Sequence, residues 1–439
     1  MSDAALALLS FAVLLGLMAL RMPIGLAMFV VGAAGYVILN DAATLLSWLK
    51  STPYYLFSNY TLSVIPLFIL MGALAGQAGL SQTLFRAADA VIGGRPGGIA
   101  MAAIGACTAF GAICGSSVAT TATMGRAALP ELRRFNYEEG LATGTLAIGG
   151  TLGILIPPSI ILIIYAISTE QNISKLFMAA LIPGLMAAAF YLVVIAWLVR
   201  RNPAAGPPGP RLTAAARREA LRDVWPALLV AVVVVGGIYG GVFTPTEGAA
   251  VGVVAMLVLG LAMRTLGPAE VGEALRQTAE TTAMIFIILL GAEMFNAFLA
   301  ISGLPIEASE LIVDAGLPPY GVLVGLLVFY IVLGGVMDEI AMLLLTLPVF
   351  FPVIMSLDFG MDAEETAIWF GILVLVIVGI GLTAPPIGLN VFVMKSIAGR
   401  TPITTIYRGV LPFIASDLVR LAILILFPGL SLALVRLLT

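Results

Sequence analysis

Histidine is absent from this 439-residue chain, and charged side chains make up only 10% of it. The first absence removes imidazole as a metal ligand, a general base or a switch near neutral pH. The second is a statement about solvent. A soluble domain carries about 25% charged residues, so a chain this poor in charge cannot face water over most of its surface. Cysteine is scarce too. Cys107 and Cys114 both lie in an apolar run, which gives no support for a disulfide framework. They read as small side chains packed in a crowded bundle. No basic patch interleaved with aromatics points to nucleic acid, and the net charge of -3 says little about partners. The N-terminus lacks the basic region of a signal peptide, with Asp3 standing where positive charge belongs. That stretch is expected to be a first membrane helix.

What is present is apolar: 61% of the residues are hydrophobic, and the mean hydropathy is +1.12. Lipid must be the solvent for much of such a chain. Charge-free runs cover 22–40, 51–85, 96–125, 140–169, 176–199, 224–246, 315–337 and 366–394. Shorter ones cover 248–263, 340–357 and 421–435. At about 20 residues per span this predicts roughly ten to twelve crossings or half-crossings. The 47 glycines suit helices in close contact, because small residues let backbones approach in lipid.

One polar, proline-rich segment interrupts the pattern, at 200–223. It carries Arg200, Arg201, Arg211, Arg217, Arg218 and Arg222 against Glu219 and Asp223. The positive-inside rule makes it a cytoplasmic loop. The Ser2-Asp3 terminus has no basic residue and suits the opposite side. An odd number of crossings in the first half reconciles the two. On either side of the loop the sequence repeats. Gly153 to Pro157-Pro158 recurs as Gly381 to Pro385-Pro386 with the same spacing. LIPG at 181–184 answers VLPF at 410–413, segment 68–80 loosely answers 286–304, and Pro23 answers Pro245, all in the same order. Two repeats of odd crossing number have opposite topology, and matched broken helices in such repeats point to a secondary transporter. The expected fold is therefore all-α and polytopic. Residues 1–199 form a first repeat and 224–439 a second, with re-entrant hairpins and proline-broken helices in each.

Proline removes a backbone donor and clashes with the carbonyl one turn back. A Pro-Pro pair thus frees carbonyls in the middle of a membrane segment. Unmet carbonyls there cost several kcal/mol each, about the worth of a lost hydrogen bond in hydrocarbon. They persist where they line a wet cavity or bind something, and a hard cation such as sodium suits them. A plain proline kink is the alternative. The tract GAICGSSVATTATMG (111–125) gathers Gly115, Ser116, Ser117, Thr120 and Thr121 in the centre of a long charge-free run. It predicts a hairpin at about 96–129 with its tip at Gly115-Ser116-Ser117, leading to a broken helix at about 140–168. The alternative is one helix whose hydroxyls bond back to their own backbone. In the second half a hairpin is expected at about 318–356 and a broken helix at about 366–398. Asp338-Glu339 sits between the hairpin's apolar limbs. A carboxylate at membrane depth costs about 2.5–3.5 kcal/mol on insertion scales and marks function by default. Asp338 is accordingly the expected ionised cation ligand, unless the pair lies solvated in a loop between two full helices. Glu247 and Glu293 are assigned helix-end or packing roles.

FTPTEGAAVG (243–252), the 140–167 block, the 111–125 tract and GLTAPPIGLNVF (381–392) together resemble the large membrane subunit of tripartite ATP-independent periplasmic (TRAP) transporters, over essentially the whole chain. The resemblance implies an elevator-type transporter of the bacterial inner membrane. Sodium would serve as coupling ion with no other cofactor. The implied partners are a separate small four-helix membrane subunit and a periplasmic binding protein. The implied substrate is a carboxylate-bearing organic acid, such as a C4-dicarboxylate or sialic acid. Carried onto this chain, one sodium site uses Gly115, Ser116, Ser117 and Thr151 with the carbonyls before Pro157. The second uses Asp338 and Thr383 with the carbonyls before Pro385. Ser117, Pro158, Pro386 and Asn390 would meet the substrate. Arg21 and Arg126 are the cations nearest these motifs, but the sequence does not bring either to the site. An ion-coupled carboxylate symporter without a binding protein shares most of these features. An intramembrane enzyme is disfavoured by the lack of histidine and of any HExxH motif. A purely structural scaffold has no need of matched helix breaks.

Overall fold

The computed structural model describes residues 3–210 and 212–438. Ser2 and Arg211, used in the charge argument, lie outside the described residues. Among these residues the chain is helical throughout, with no strand. The first half contains α1 (Asp3–Ala19), α2 (Ile24–Leu39), α3 (Ala42–Phe57), α4 (Val64–Gln77), α5 (Leu80–Ile92), α6 (Gly98–Cys114), α7 (Ser117–Arg134), α8 (Glu139–Leu155), α9 (Ile160–Ser168) and α10 (Ile173–Arg201). After α11 (Ala214–Asp223), the second half contains α12 (Trp225–Tyr239), α13 (Pro245–Ala262), α14 (Pro268–Ser302) and α15 (Leu304–Asp314). It continues with α16 (Pro319–Gly334), α17 (Glu339–Met355), α18 (Ala363–Gly381), α19 (Leu389–Ala398), α20 (Ile403–Leu426) and α21 (Gly429–Leu438).

Among the described residues six helices are long and apolar enough to span a bilayer, or up to eight if each bent pair is one span. The other apolar runs are divided into shorter apolar helices that do not cross alone. The run 51–85 holds the end of α3, a 3-10 turn at Tyr60–Ser63, α4 and the start of α5. The runs around 96–125 and 315–337 supply limbs of 16 to 18 residues, at or near the lower limit for a crossing. The polar segment also departs from a plain loop. Thr213 caps α11 by accepting from the Ala216 N–H, and the Ala, Arg, Glu and Leu that follow are strong helix formers.

Both halves run in the order hairpin, broken helix, long helix: α6–α7, α8–α9, α10 and then α16–α17, α18–α19, α20. The two sets interlock. α7 packs on α19, α17 packs on α9, and α8 lies along α20. A second layer is built by α2 along α14 and by α13 along α4. Close approach there needs glycine. A Cβ on Gly25 would stand 2.7 Å from the Ile287 carbonyl oxygen, and one on Gly32 2.7 Å from the Phe295 Cα. A buried ion pair, Asp417 with Arg420 at 2.8 Å, ties the long helices together. Tyr191 of α10 donates to Asp417 (2.7 Å), and Arg420 donates to the Pro183 carbonyl (3.1 Å).

The arginine-bearing segment is fastened to one end of the bundle. Gly97 donates to Gly206, Glu138 to Ala205 and Gly209 to Gly93, all backbone to backbone at 2.8–2.9 Å. α11 packs against α5. The feet of the first hairpin and the start of the first broken helix therefore share this end with the arginines.

Candidate functional site

The first hairpin turns at Gly115, which has φ +66 and caps α6. That left-handed conformation is one glycine adopts without a Cβ penalty. Ser116 then caps α7, its hydroxyl accepting from the Ala119 N–H at 3.4 Å. The tip rests on the first proline break. The Ile160 N–H donates to the Gly115 carbonyl at 3.3 Å, and a Cβ on Gly115 would stand 2.9 Å from the Pro158 carbonyl oxygen. The second half repeats this contact. The Ile387 N–H donates to the Gly335 carbonyl at 3.0 Å, and a Cβ on Gly335 would stand 2.9 Å from the Pro386 ring. Both Pro-Pro peptide bonds are cis.

Each break frees carbonyls, because Pro157 and Pro158 cannot donate to Gly153 and Ile154, nor Pro385 and Pro386 to Gly381 and Leu382. One of the four is met across the gap: the Asn390 N–H donates to the Leu382 carbonyl at 2.9 Å. Tyr407 of α20, which the sequence reading did not single out, donates to the carbonyls of Pro386 (2.9 Å) and Ile387 (2.6 Å).

Asn390 links the halves. Its amide donates to the Ser117 hydroxyl (2.7 Å) and the Ala147 carbonyl (3.1 Å), while its own carbonyl oxygen is buried with no partner. Next to Ser117 on α7, Thr120 and Thr121 are fully buried, and both hydroxyl oxygens also lack a partner. They press against Gly153 and Gly150 of α8. Buried polar atoms are normally bonded, and oxygens of this kind are ones a hard cation takes. Among the described residues no three His, Cys, Asp or Glu side chains converge. The available ligands are hydroxyl, amide and carbonyl oxygens.

Not every expected ligand points here. Thr151 lies on the other face of α8; its hydroxyl donates to Ile148 (2.7 Å) and meets Tyr191 (3.2 Å), joining the buried Asp417–Arg420 pair. Thr383 donates back to Ile380 at 3.1 Å, which leaves its lone pairs free. Asp338 serves as the N-cap of α17, accepting from Ile340 and Ala341 at 3.1 Å each. Its neighbour Glu339 carries a buried carboxylate oxygen without a partner. Glu247 closes a capping box on α13, as a helix-end role requires. Glu293 has no helix-end role: it stands in the interior of α14.

A cavity of about 620 Å³ joins the two tips. Gly115 and Ser116 line it from one hairpin, Asp338 and Glu339 from the other, with α4, α5, α9, α14 and α19 contributing the rest of its wall. Arg126 lines it as well, whereas Arg21 sits in the exposed turn between α1 and α2. What the sequence hid here is contact between distant segments; the one local clue to Arg126 was its place shortly after the tip on the same helix.

Comparison with known proteins gives one consistent result. The family described as tripartite ATP-independent periplasmic transporter, DctM component, matches residues 11–430. The C4-dicarboxylate TRAP transporter large permease protein of Pseudomonas aeruginosa is 37% identical over 86% of this chain and 86% of its own length. The protein of the same description from Rhodobacter capsulatus is 32% identical over 98% of this chain and 99% of its own. Among solved structures, the Alcanivorax borkumensis YdaH transporter, described as having an unusual topology, superposes with a TM-score of 0.56. That match covers 90% of this chain and 91% of the other at 16% identity, a likeness of fold.

Proposed function

The chain belongs to the DctM family of tripartite ATP-independent periplasmic transporters, and from that membership we propose that it takes up a carboxylate-bearing organic acid at the expense of a sodium gradient. It is a large permease subunit, a multi-pass membrane protein and not an enzyme. Two relatives named for C4-dicarboxylates favour that substrate class. A periplasmic binding protein would deliver the substrate, and a small membrane subunit, as a separate chain, would complete the permease in the bacterial inner membrane.

The observation that carries the sodium reading is the pair of hairpin tips, each hydrogen-bonded across a proline break, beside buried oxygens with no partner. Thr120, Thr121 and the Asn390 carbonyl would hold one ion with the Ser116-Ser117 tip. Thr383, the freed Gly381 carbonyl and the acids Asp338 and Glu339 would serve the second. Ser117 and Asn390 already touch, so ordering one tip fixes the other half's contribution. Coupling follows if sodium binds one conformation more tightly, since a ligand shifts an equilibrium only by its differential affinity. The interlocked hairpins and broken helices would then slide as one body against α2, α4, α13 and α14. The recurrence of hairpin, broken helix and long helix on either side of the arginine-rich segment supports inverted repeats.

The test is uptake of radiolabelled succinate into proteoliposomes holding the full permease with its binding protein. Uptake should follow an imposed inward sodium gradient and be indifferent to ATP. Asp338→Ala should abolish it while the chain still inserts. Asp338→Asn keeps a good helix cap and loses the charge, so it separates the two roles. Wild-type uptake rates in Asp338→Ala would sink the assignment.

A further inference from the structure

We propose that Arg126 forms an outer carboxylate subsite in the central cavity, at the end near the arginine-rich segment. This inference rests on the organic-acid reading above and adds a residue that selects for negative charge. Arg126 is the one cationic side chain among the residues lining the cavity. It makes no ion pair or hydrogen bond with any described residue. The acids of neighbouring α14, Glu273 and Glu280, are already paired with Arg276. An exposed guanidinium left unmatched inside a substrate-sized cavity is a fork of donors awaiting a planar anion.

Its surroundings suit that role. Gln77 and Gln82 line the same space. The Gln82 carbonyl accepts from the Ser81 hydroxyl at 2.9 Å, which leaves its amide N–H groups free to donate. Thr123 and Thr281 add hydroxyls. The carboxylates of the cavity, Asp338 and Glu339, belong to the second tip, so a carboxylate is attracted to Arg126 and repelled from that tip until a cation is present. Gln82 also borders a smaller cleft between α5, α7 and α11. That places the outer end beside the arginine-bearing helix. Arg126 stands nine residues beyond Ser117 on α7, about 13 Å along the axis at 1.5 Å per residue. That rise sets the Arg126 backbone about two and a half helical turns beyond Ser117. Arg126 would therefore hold the anion on its way between the tips and the mouth.

The test reconstitutes the chain with its small membrane subunit and its periplasmic binding protein, and reads counterflow of radiolabelled succinate at fixed saturating sodium. In the wild type KM should rise as potassium chloride is added, because salt screens charge attraction over about 10 Å at 0.1 M. Arg126→Gln should raise KM at least about tenfold, with a smaller fall in kcat, and lose most of that salt dependence. Arg126→Lys keeps the charge without the fork, and should keep the salt dependence with a KM in between. An Arg126→Gln protein with wild-type KM and salt dependence overturns the subsite alone. A wild type that exchanges no succinate overturns the C4-dicarboxylate reading, and the subsite with it.

Discussion

Asn390 and Ser117 are 273 positions apart in the chain and 2.7 Å apart in space. That single amide satisfies a hydroxyl and a backbone carbonyl, both inside the bundle. Replacing it with alanine leaves the Ser117 hydroxyl and Ala147 carbonyl unmet, and a buried group without its partner costs about 1–3 kcal/mol. Asn390→Ala should therefore lower the unfolding temperature in detergent as well as transport. A variant as stable as the wild type would mean that water meets these groups. Asp338 and Glu339 show the same point from the other side. Asp338 caps its own helix through Oδ1 alone, accepting from two N–H groups, which leaves its second oxygen available. Its neighbour has the oxygen with nothing to bind.

At the scale of the helix, the hairpins and the breaks are a matched pair of contacts with different tolerances. Gly115 has φ +66, and a side chain there meets a left-handed penalty of about 1–2 kcal/mol besides the Pro158 carbonyl. Gly335 has φ -72, so its substitution meets only the crowding against Pro385 and Pro386. Gly115→Ala should depress the unfolding temperature more than Gly335→Ala. Equal shifts would show that crowding, not backbone conformation, governs both tips. The breaks themselves were readable in advance, since two prolines in a row end a helix wherever they stand. The turn at Gly115-Ser116 was also readable, whereas α7 runs on to Arg134, past the expected end of the hairpin, and the capping role of Asp338 was hidden behind its charge. The helix at 214–223 was obscured by the prolines and glycines that precede it.

For the whole molecule, the unmet oxygens predict a specific dependence on sodium. An ion that binds the folded state alone adds about 2.7 kcal/mol of stability at a hundred times its Kd. The unfolding temperature of the full chain should rise with sodium chloride and stay nearly flat with choline chloride at equal ionic strength. A response equal for both salts would count against cation sites at the tips. The buried Asp417–Arg420 pair should not contribute to the difference. Its charges are already matched to each other, to Tyr191 and to the Pro183 carbonyl.

The amino-acid sequence by itself determined the solvent of this protein and the places where its helices break. Those features depend on composition and on local backbone chemistry, which act at any position without knowledge of the fold. Only the tertiary structure decided which oxygens are free. Thr151 and Ser117 are both small hydroxyl side chains in apolar helices, and no local pattern says that one faces Tyr191 and the other Asn390. The same holds for Arg126, whose place in the cavity depends on α4, α5 and α14 closing around it. A ligand set is a convergence of distant segments, and convergence is a property of packing.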